Sequence, residues 1–374
     1  LAAIHRQWYL SGALIASPAR MVQPPLATPP VPGVDTAPLT ALLHRAFPAT
    51  RGQRVEWTAM PGGASTRRYF RTRLADVAAV GMFVPDGLKA EEVQSGDVRA
   101  RWPFLEVRDL LEERGIDVPA IYGEDTARGW VLLEDLGDGT LAEVLSAQPD
   151  RRQELYTRAA SDVALAQGRL GELPAGCVVA SRAFDEELLL WEIHHFREWA
   201  LDARGIVLPG RDAERFTAIA SGLAARIASW PRTFVHRDYQ SRNLMVRPDG
   251  RLCWIDFQDA LLGPRVYDLV ALLNDSYQTF DRPFVEARLA DYARSAGLGE
   301  SGVEQLRREF DLVTVQRKLK DAGRFVFIDR VKQNPSFLRF VEPTIAKVRA
   351  SLSRLQDDDD MRELGAILAR ALGA

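Results

Sequence analysis

The stretch FVHRDYQSRNLMV, Phe234 to Val246, sets His236, Asp238 and Asn243 between two apolar runs. A second polar cluster, WIDFQDA, carries Asp259 and Asp256, the latter 18 residues after Asp238. Between them, Leu244–Arg247 and Leu252–Ile255 are β-type segments flanking Pro248-Asp249-Gly250, which reads as a tight hairpin. A hairpin brings its two ends together, so Asp238, Asn243 and Asp256 are predicted to converge. An Asn amide and an Asp carboxylate are hard oxygen donors that suit Mg2+, which keeps waters and phosphate oxygens in its other positions. A third carboxylate, off the metal, is then free to accept the proton of a hydroxyl. A metal clamp, a base and a means of positioning the γ-phosphate are the parts that phosphoryl transfer from ATP requires.

The flanking elements that must hold these residues are also readable. LTALLHRAF, Leu39 to Phe47, has helical spacing and stops at Pro48. Short β-type runs follow at Val55–Ala59, Tyr69–Leu74 and Val77–Val84, separated by Pro61-Gly62-Gly63 and Ala75-Asp76, a pattern of antiparallel hairpins. FLEVRDLLEERG, Phe104 to Gly115, is an amphipathic helix with a glycine stop, and IYGEDTARGWVLLEDLGDG is a further strand pair. After Thr140 the pattern turns helical, at Leu141–Ala147, Gln153–Leu170, Phe184–Ala203, Asp212–Ser229, Tyr267–Leu273, Pro283–Ala296, Val303–Ala322 and Thr344–Leu355. The acidic run Asp357–Asp360 starts a last helix, where carboxylates suit the positive end of the dipole.

Composition narrows the classes. Forty-eight Lys and Arg against 51 Asp and Glu give a net charge of −3, so no field argues for nucleic acid or an acidic membrane. The two cysteines, Cys177 and Cys253, lack zinc spacing and fit a reducing compartment, and no apolar run is long enough to span a bilayer. A cytoplasmic protein without a nucleic-acid or membrane partner is expected. Residues 1–34 are set apart as a poorly ordered Pro-rich leader or a segment contributed by cloning, since the chain begins at Leu1 and Met21 is a candidate start. WYLSGALIASPA behind His5-Arg6 has only faint features of a signal peptide.

HRDYQSRN followed by IDFQD and YDL resembles the aminoglycoside phosphotransferase and choline kinase branch of the protein-kinase-like superfamily. More narrowly, VHRDYQSRNLMV, IDFQDALLGPRVYDLVALLNDSY and VQRKLKDAGRF are similar to the bacterial anomeric sugar kinases of peptidoglycan recycling, which act on N-acetylmuramate and N-acetylglucosamine. The resemblance spans residues 36–345. It implies an α+β, two-lobed kinase-like fold: an antiparallel β-rich N-lobe with one helix (35–138) and a larger, mostly helical C-lobe (139–374). It also implies ATP and Mg2+ as cofactors, Asp238 as catalytic base, and Asn243 and Asp256 as magnesium ligands. His236 would brace the loop and Asp268 would hold it by hydrogen bonds.

On the nucleotide side, PGGASTRRYFR occupies the place of the glycine-rich hairpin, with Gly62, Gly63, Ser65 and Thr66 near the phosphates. The sequence departs from protein kinases at Met82, where a strand Lys would stand. Arg67, Arg68 or Lys89 could supply that charge, with Glu106 as the partner carboxylate. Leu133, Glu134 and Asp135 hold the place of the hinge that bonds adenine through its backbone. Gln240, Arg242, Asp259, Asp275 and Arg317 are the expected acceptor contacts, an Arg being suited to the lactyl carboxylate of N-acetylmuramate. Each of these residues taken singly also reads as an ordinary loop group or ion pair. An aminoglycoside, choline or homoserine kinase is the alternative, although basic Arg242, Arg317, Lys318 and Lys320 speak against a cationic acceptor. A silent nucleotide-binding scaffold is a third reading, supported only by Met82.

Overall fold

A computed structural model describes residues 34–61, 67–85, 101–276 and 278–373. Contacts divide the chain into two compact units that are not contiguous in sequence. The first comprises the described residues up to Gly139 with Met245–Asp249 and Cys253–Asp259, and the second holds the rest.

In the first unit, helix α1 (Ala37–Ala46) buries Leu39, Leu42 and Leu43 on one face. These spacings of three and four residues put all three on a single stripe. They meet Phe70, Ala79, Trp130 and Leu132 from the strands in one apolar cluster. Each buried leucine contributes about 2 kcal/mol by removal of its side chain from water. The sheet is antiparallel in the order β1 (Thr58–Ala59), β2 (Arg68–Leu74), β3 (Val77–Phe83), β5 (Trp130–Glu134), β4 (Ile121–Asp125). The expected strands are present, the first shortened to two residues. Helix α2 (Pro103–Glu113) ends as its sequence implies: Gly115 sits at φ 69°, and Ile116 N–H returns to the Leu111 carbonyl at 2.9 Å.

The hairpin strands β7 (Leu244–Val246) and β8 (Leu252–Trp254) pair as expected. Arg247, just beyond β7, donates to Asp117 at 2.7 and 2.9 Å and to Glu134 at 2.7 and 3.1 Å. Trp254 N–H reaches the Asp117 carbonyl at 2.8 Å, and Phe257 stacks on Phe104 with ring centroids 5.2 Å apart. These contacts tie the hairpin into the first unit.

The second unit is helical, from α3 (Leu141–Ala147) and α4 (Arg152–Arg169) through α5 (Glu186–His195) and α6 (Gly210–Ala228). Thr140 and Glu143 form a capping box at the start of α3. Strands β6 (Arg232–Val235) and β9 (Leu261–Pro264) pair antiparallel here. The helix predicted to reach Ala203 instead leaves α geometry after His195 and continues as a π-turn over Phe196–Leu201. Helices α7 (Tyr267–Leu273), α8 (Arg282–Ser295), α9 (Glu300–Lys332), α10 (Val341–Arg354) and α11 (Asp359–Leu372) complete it. Helix α9 runs for 33 residues, ten past the predicted stop at Ala322. Asp358 caps α11 by accepting the Met361 N–H at 3.2 Å. Among the described residues no helix is long and apolar enough to cross a membrane.

Candidate active site

The loop between β6 and β7 lies in the second unit and is closed from within. The Asp238 carbonyl accepts Gln240 N–H at 2.8 Å and the Asn243 Nδ2 at 2.8 Å. That second bond fixes the Asn243 amide with its nitrogen turned inward. The remaining donor, Oδ1, is a neutral hard oxygen of the type Mg2+ takes.

Groups distant in sequence hold this loop. Asp268, in the first turn of α7, accepts His236 N–H at 2.7 Å and Arg237 N–H at 3.0 Å. Arg237 adopts φ 78°, unfavourable for a side-chain-bearing residue, and the Asp268 bond offsets that strain. Burial pushes the Asp268 carboxyl up to about 7, against the pull of the two N–H groups. Arg317 of α9 donates to the Arg237 carbonyl at 3.0 Å and lies 3.4 Å from the Asp238 carboxylate. Its guanidinium also sits 4.6 Å from the ring centroid of buried Tyr267. Burial works against the Arg317 charge, yet Tyr267, Asp321 and Asp238 raise its pKa above the usual value. Finally, Ser241 Oγ donates to Asp275 at 3.1 Å, and Tyr239 donates to the Ala159 carbonyl of α4 at 3.1 Å. His236 is fully buried, edge-on to Tyr239. Within this braced loop, the Asp238 side chain remains 24% exposed while that of Arg317 is 1% exposed.

Of the expected acceptor contacts in this unit, Gln240 and Arg242 are half-buried on the loop, whereas Asp275 and Arg317 lie behind it. Asp275 accepts from Ser241, and Arg317 donates to the Arg237 carbonyl and lies beside the Asp238 carboxylate.

In the first unit, Asp256 sits at φ 63°, a left-handed conformation, and accepts the Gln258 Nε2 at 3.0 Å. The same amide reaches Asp259 at 3.2 Å. A carboxylate held on a strained turn is a second hard oxygen donor, so the residue types present fit Mg2+. No group of three or more His, Cys, Asp or Glu side chains that could hold a metal occurs among the described residues.

Leu133, Glu134 and Asp135 lie where β5 ends. Leu133 is buried, Glu134 pairs with Arg247, and the Asp135 side chain is bound by Arg71 at 3.0 Å and by Gly137 N–H at 2.9 Å. Met82 is fully buried in β3 between Tyr69 and Val131. Arg67 is buried ahead of β2, and Glu106 is half-buried in the first turn of α2. Gly62, Gly63, Ser65, Thr66 and Lys89 lie outside the described residues.

The model of the phosphotransferase enzyme family matches residues 56–307, which includes the braced loop, the hairpin and α7. The chain belongs to the phosphotransferase enzyme family. It is 35% identical to an N-acetylmuramate/N-acetylglucosamine kinase of Pseudomonas aeruginosa, over 82% of this chain and 86% of that one. Among solved structures it is similar to a choline/ethanolamine kinase family protein from Mesorhizobium loti (TM-score 0.55, 15% identity, 88% of this chain and 99% of that one). It is also similar to the ADP-bound aminoglycoside phosphotransferase APH(2'')-Ib (TM-score 0.53, 14% identity, 83% of this chain and 97% of that one). The fold is therefore kinase-like, an antiparallel sheet followed by a mostly helical remainder, and the chain is an ATP-dependent kinase.

Several residues of this phosphotransferase hold the segments described above without any local motif to reveal them. Lys347 of α10 donates to the carbonyls of Asp275 and, at 2.7 Å, Gln278, securing the turn that holds Ser241. Burial brings its amine down to about 7. Arg71 reaches Asp135 and Asp138 across more than sixty residues, and Arg247 reaches Glu134 across 113. Only their charge could have marked them, and charge alone does not name a partner.

Proposed function

We propose that the chain phosphorylates the anomeric hydroxyl of N-acetylmuramate, N-acetylglucosamine or both, forming the sugar 1-phosphate in peptidoglycan recycling. The observation that carries this reading is Asp238, an accessible carboxylate on a loop whose backbone is held by Asp268 and Arg317. The name of the Pseudomonas aeruginosa relative supports the choice of sugar. Asp238 accepts the proton of the anomeric hydroxyl, which is more acidic than an ordinary alcohol, so a single carboxylate is an adequate base. Asn243 and Asp256 would hold Mg2+. When bound, the ion supplies charge neutralisation at the phosphates. Gln240, Arg242 and Asp259 orient the acceptor, while Arg317 keeps the Asp238 carboxylate in place. The nucleotide is held by Gly62, Gly63, Ser65 and Thr66 and by the backbone at Leu133 to Asp135, with Arg67 or Lys89 and Glu106 completing the charge pattern. The two free, buried thiols support a reducing, cytoplasmic setting.

The test is incubation with Mg-ATP and a panel of N-acetylmuramate, N-acetylglucosamine, kanamycin and choline, following ADP release and the sugar reducing end. ADP release with loss of the reducing end is the expected outcome for the amino sugars. ADP release with the reducing end intact would move the reaction to another hydroxyl. Turnover of kanamycin or choline alone would replace the sugar reading.

A further inference from the structure

Strands β6 and β9 deliver the Asp238 loop and its brace from opposite ends of one ladder. Their register sets Val235 beside Leu261 and Arg232 beside Pro264. The chain leaves β6 at Val235 for the loop, but leaves β9 at Pro264, the end remote from that loop. It must double back from Arg265 for Asp268 to meet the His236 and Arg237 N–H groups. The ladder alone does not hold this reversal. Leu262 donates its N–H to the Arg182 carbonyl and accepts the Phe184 N–H, so it exchanges no backbone bonds with its partner Phe234. The buried Phe234 carbonyl therefore faces away from β9 and requires another donor.

Gln167 of α4 supplies it. Its Nε2 donates to the Arg265 carbonyl at 3.0 Å and to the Phe234 carbonyl at 3.3 Å, and its Oε1 accepts the Tyr292 hydroxyl of α8 at 2.6 Å. A primary amide carries two N–H groups, and here each faces a carbonyl that can only accept. Tyr292 sets which way round the amide sits, because the reversed amide would turn its oxygen toward both carbonyls. Burial raises the pKa of the Tyr292 hydroxyl, which keeps it a donor. Both side chains are buried, where an unmade bond leaves a polar group unpaired. One amide thus joins the strand that enters the loop to the reversal that carries Asp268.

We propose that Gln167, oriented by Tyr292, is a positioning residue for phosphoryl transfer, tying the Arg265 reversal to β6 so that the Asp268 carboxylate meets the two amides ahead of Asp238. Gln167 touches no reactant and acts through Asp268. The assignment rests on the reading of Asp238 as the base, and it extends the support of that base to α4 and α8, outside the loop and its brace.

Steady-state kinetics with the amino sugars and amide hydrogen exchange read by mass spectrometry test it. Gln167→Met conserves volume and removes all three bonds. We expect kcat to fall about tenfold through misplacement, with KM for the sugar and ADP affinity near wild type, and faster exchange at His236 and Arg237. Tyr292→Phe leaves both carbonyl bonds available and should cost about threefold in kcat, the low end of one hydrogen bond. Thr157→Val controls for stability alone. It cuts the 3.0 Å bond from Thr157 to Asp291 between the same two helices, away from β6 and β9, and should leave kcat and that exchange unchanged. Wild-type kcat or unchanged exchange in folded Gln167→Met overturns the proposal, as does an equal loss of kcat in Thr157→Val. If Gln167→Met does not fold, unchanged kcat and exchange in Tyr292→Phe overturn it. If wild type turns over neither sugar, exchange decides: acceleration in Gln167→Met but not in Thr157→Val upholds the tie to Asp268 and overturns the sugar reading alone.

Discussion

The carboxylate of Asp268 accepts the backbone N–H of His236 at 2.7 Å, and its other oxygen takes the next N–H, that of Arg237. One buried side chain thus holds two consecutive amides just ahead of Asp238. Asp268→Asn replaces one acceptor oxygen by a donor that faces an N–H. We expect kcat to fall about tenfold to a hundredfold through misplacement of Asp238, and stability to drop by about 1–3 kcal/mol. Wild-type kcat together with an unchanged urea midpoint would contradict the role.

Asp238→Asn should reduce kcat by at least about a hundredfold, the usual contribution of a positioned base, while ADP affinity by calorimetry stays near wild type. Arg317→Met should give a smaller loss, about tenfold, because it frees the Arg237 carbonyl and the Asp238 carboxylate without removing either. Equal losses in the two variants would mean that Arg317 does more than position.

Gly323 lies inside α9 where the chain of the π-turn passes. A Cβ there would stand 2.6 Å from the His195 carbonyl oxygen and 2.9 Å from the Phe196 Cα. Both neighbours are backbone and cannot swing aside. Gly323→Ala should therefore destabilise by about 1–3 kcal/mol in urea unfolding, despite the better helix propensity of alanine. A stabilised variant would show that the helices have room to part.

The His195 imidazole has its pKa depressed in the folded state to about 3 from 6.5. The unfolded chain takes up that proton first as the pH falls. Stability is therefore present above about 6.5 and lost as the pH drops toward 3, at up to about 1.4 kcal/mol per unit. His195→Phe should flatten this decline, seen as a urea midpoint less sensitive to pH than wild type. Parallel profiles for the two proteins would remove His195 as the cause.

The elements that were legible in the sequence are those whose burial pattern is local. Leu39, Leu42 and Leu43 announce α1 by spacing alone, and the tight Pro248-Asp249-Gly250 turn announces the β7–β8 hairpin. Strand β9 has no strand signal in the sequence, since Gly263 and Pro264 are residue types depleted in strands, although a proline is tolerated at a strand end. Helix α9 continues past the expected stop at Ala322 and through Gly323, a residue type that disfavours helix interiors. Its missing side chain serves the approach of another helix, a tertiary reason with no local trace. The loop from His236 to Asn243 was legible because its internal bonds span five residues or fewer. The inward turn of Arg317 was not, since its partners lie 79 and 80 residues away and a surface cation would read the same.

The division of the chain into units also sets an order of events in time. Glu134 and Asp117 are bound by Arg247, and Phe104 by Phe257, yet these partners leave the ribosome more than a hundred residues later. At ordinary synthesis rates that delay is about 6–20 s for Glu134. During it the nascent sheet carries two carboxylates awaiting their cation and a phenylalanine face without its cover. The first unit is begun early in translation and finished late, so its folding is coupled to the emergence of the very hairpin that follows the Asp238 loop.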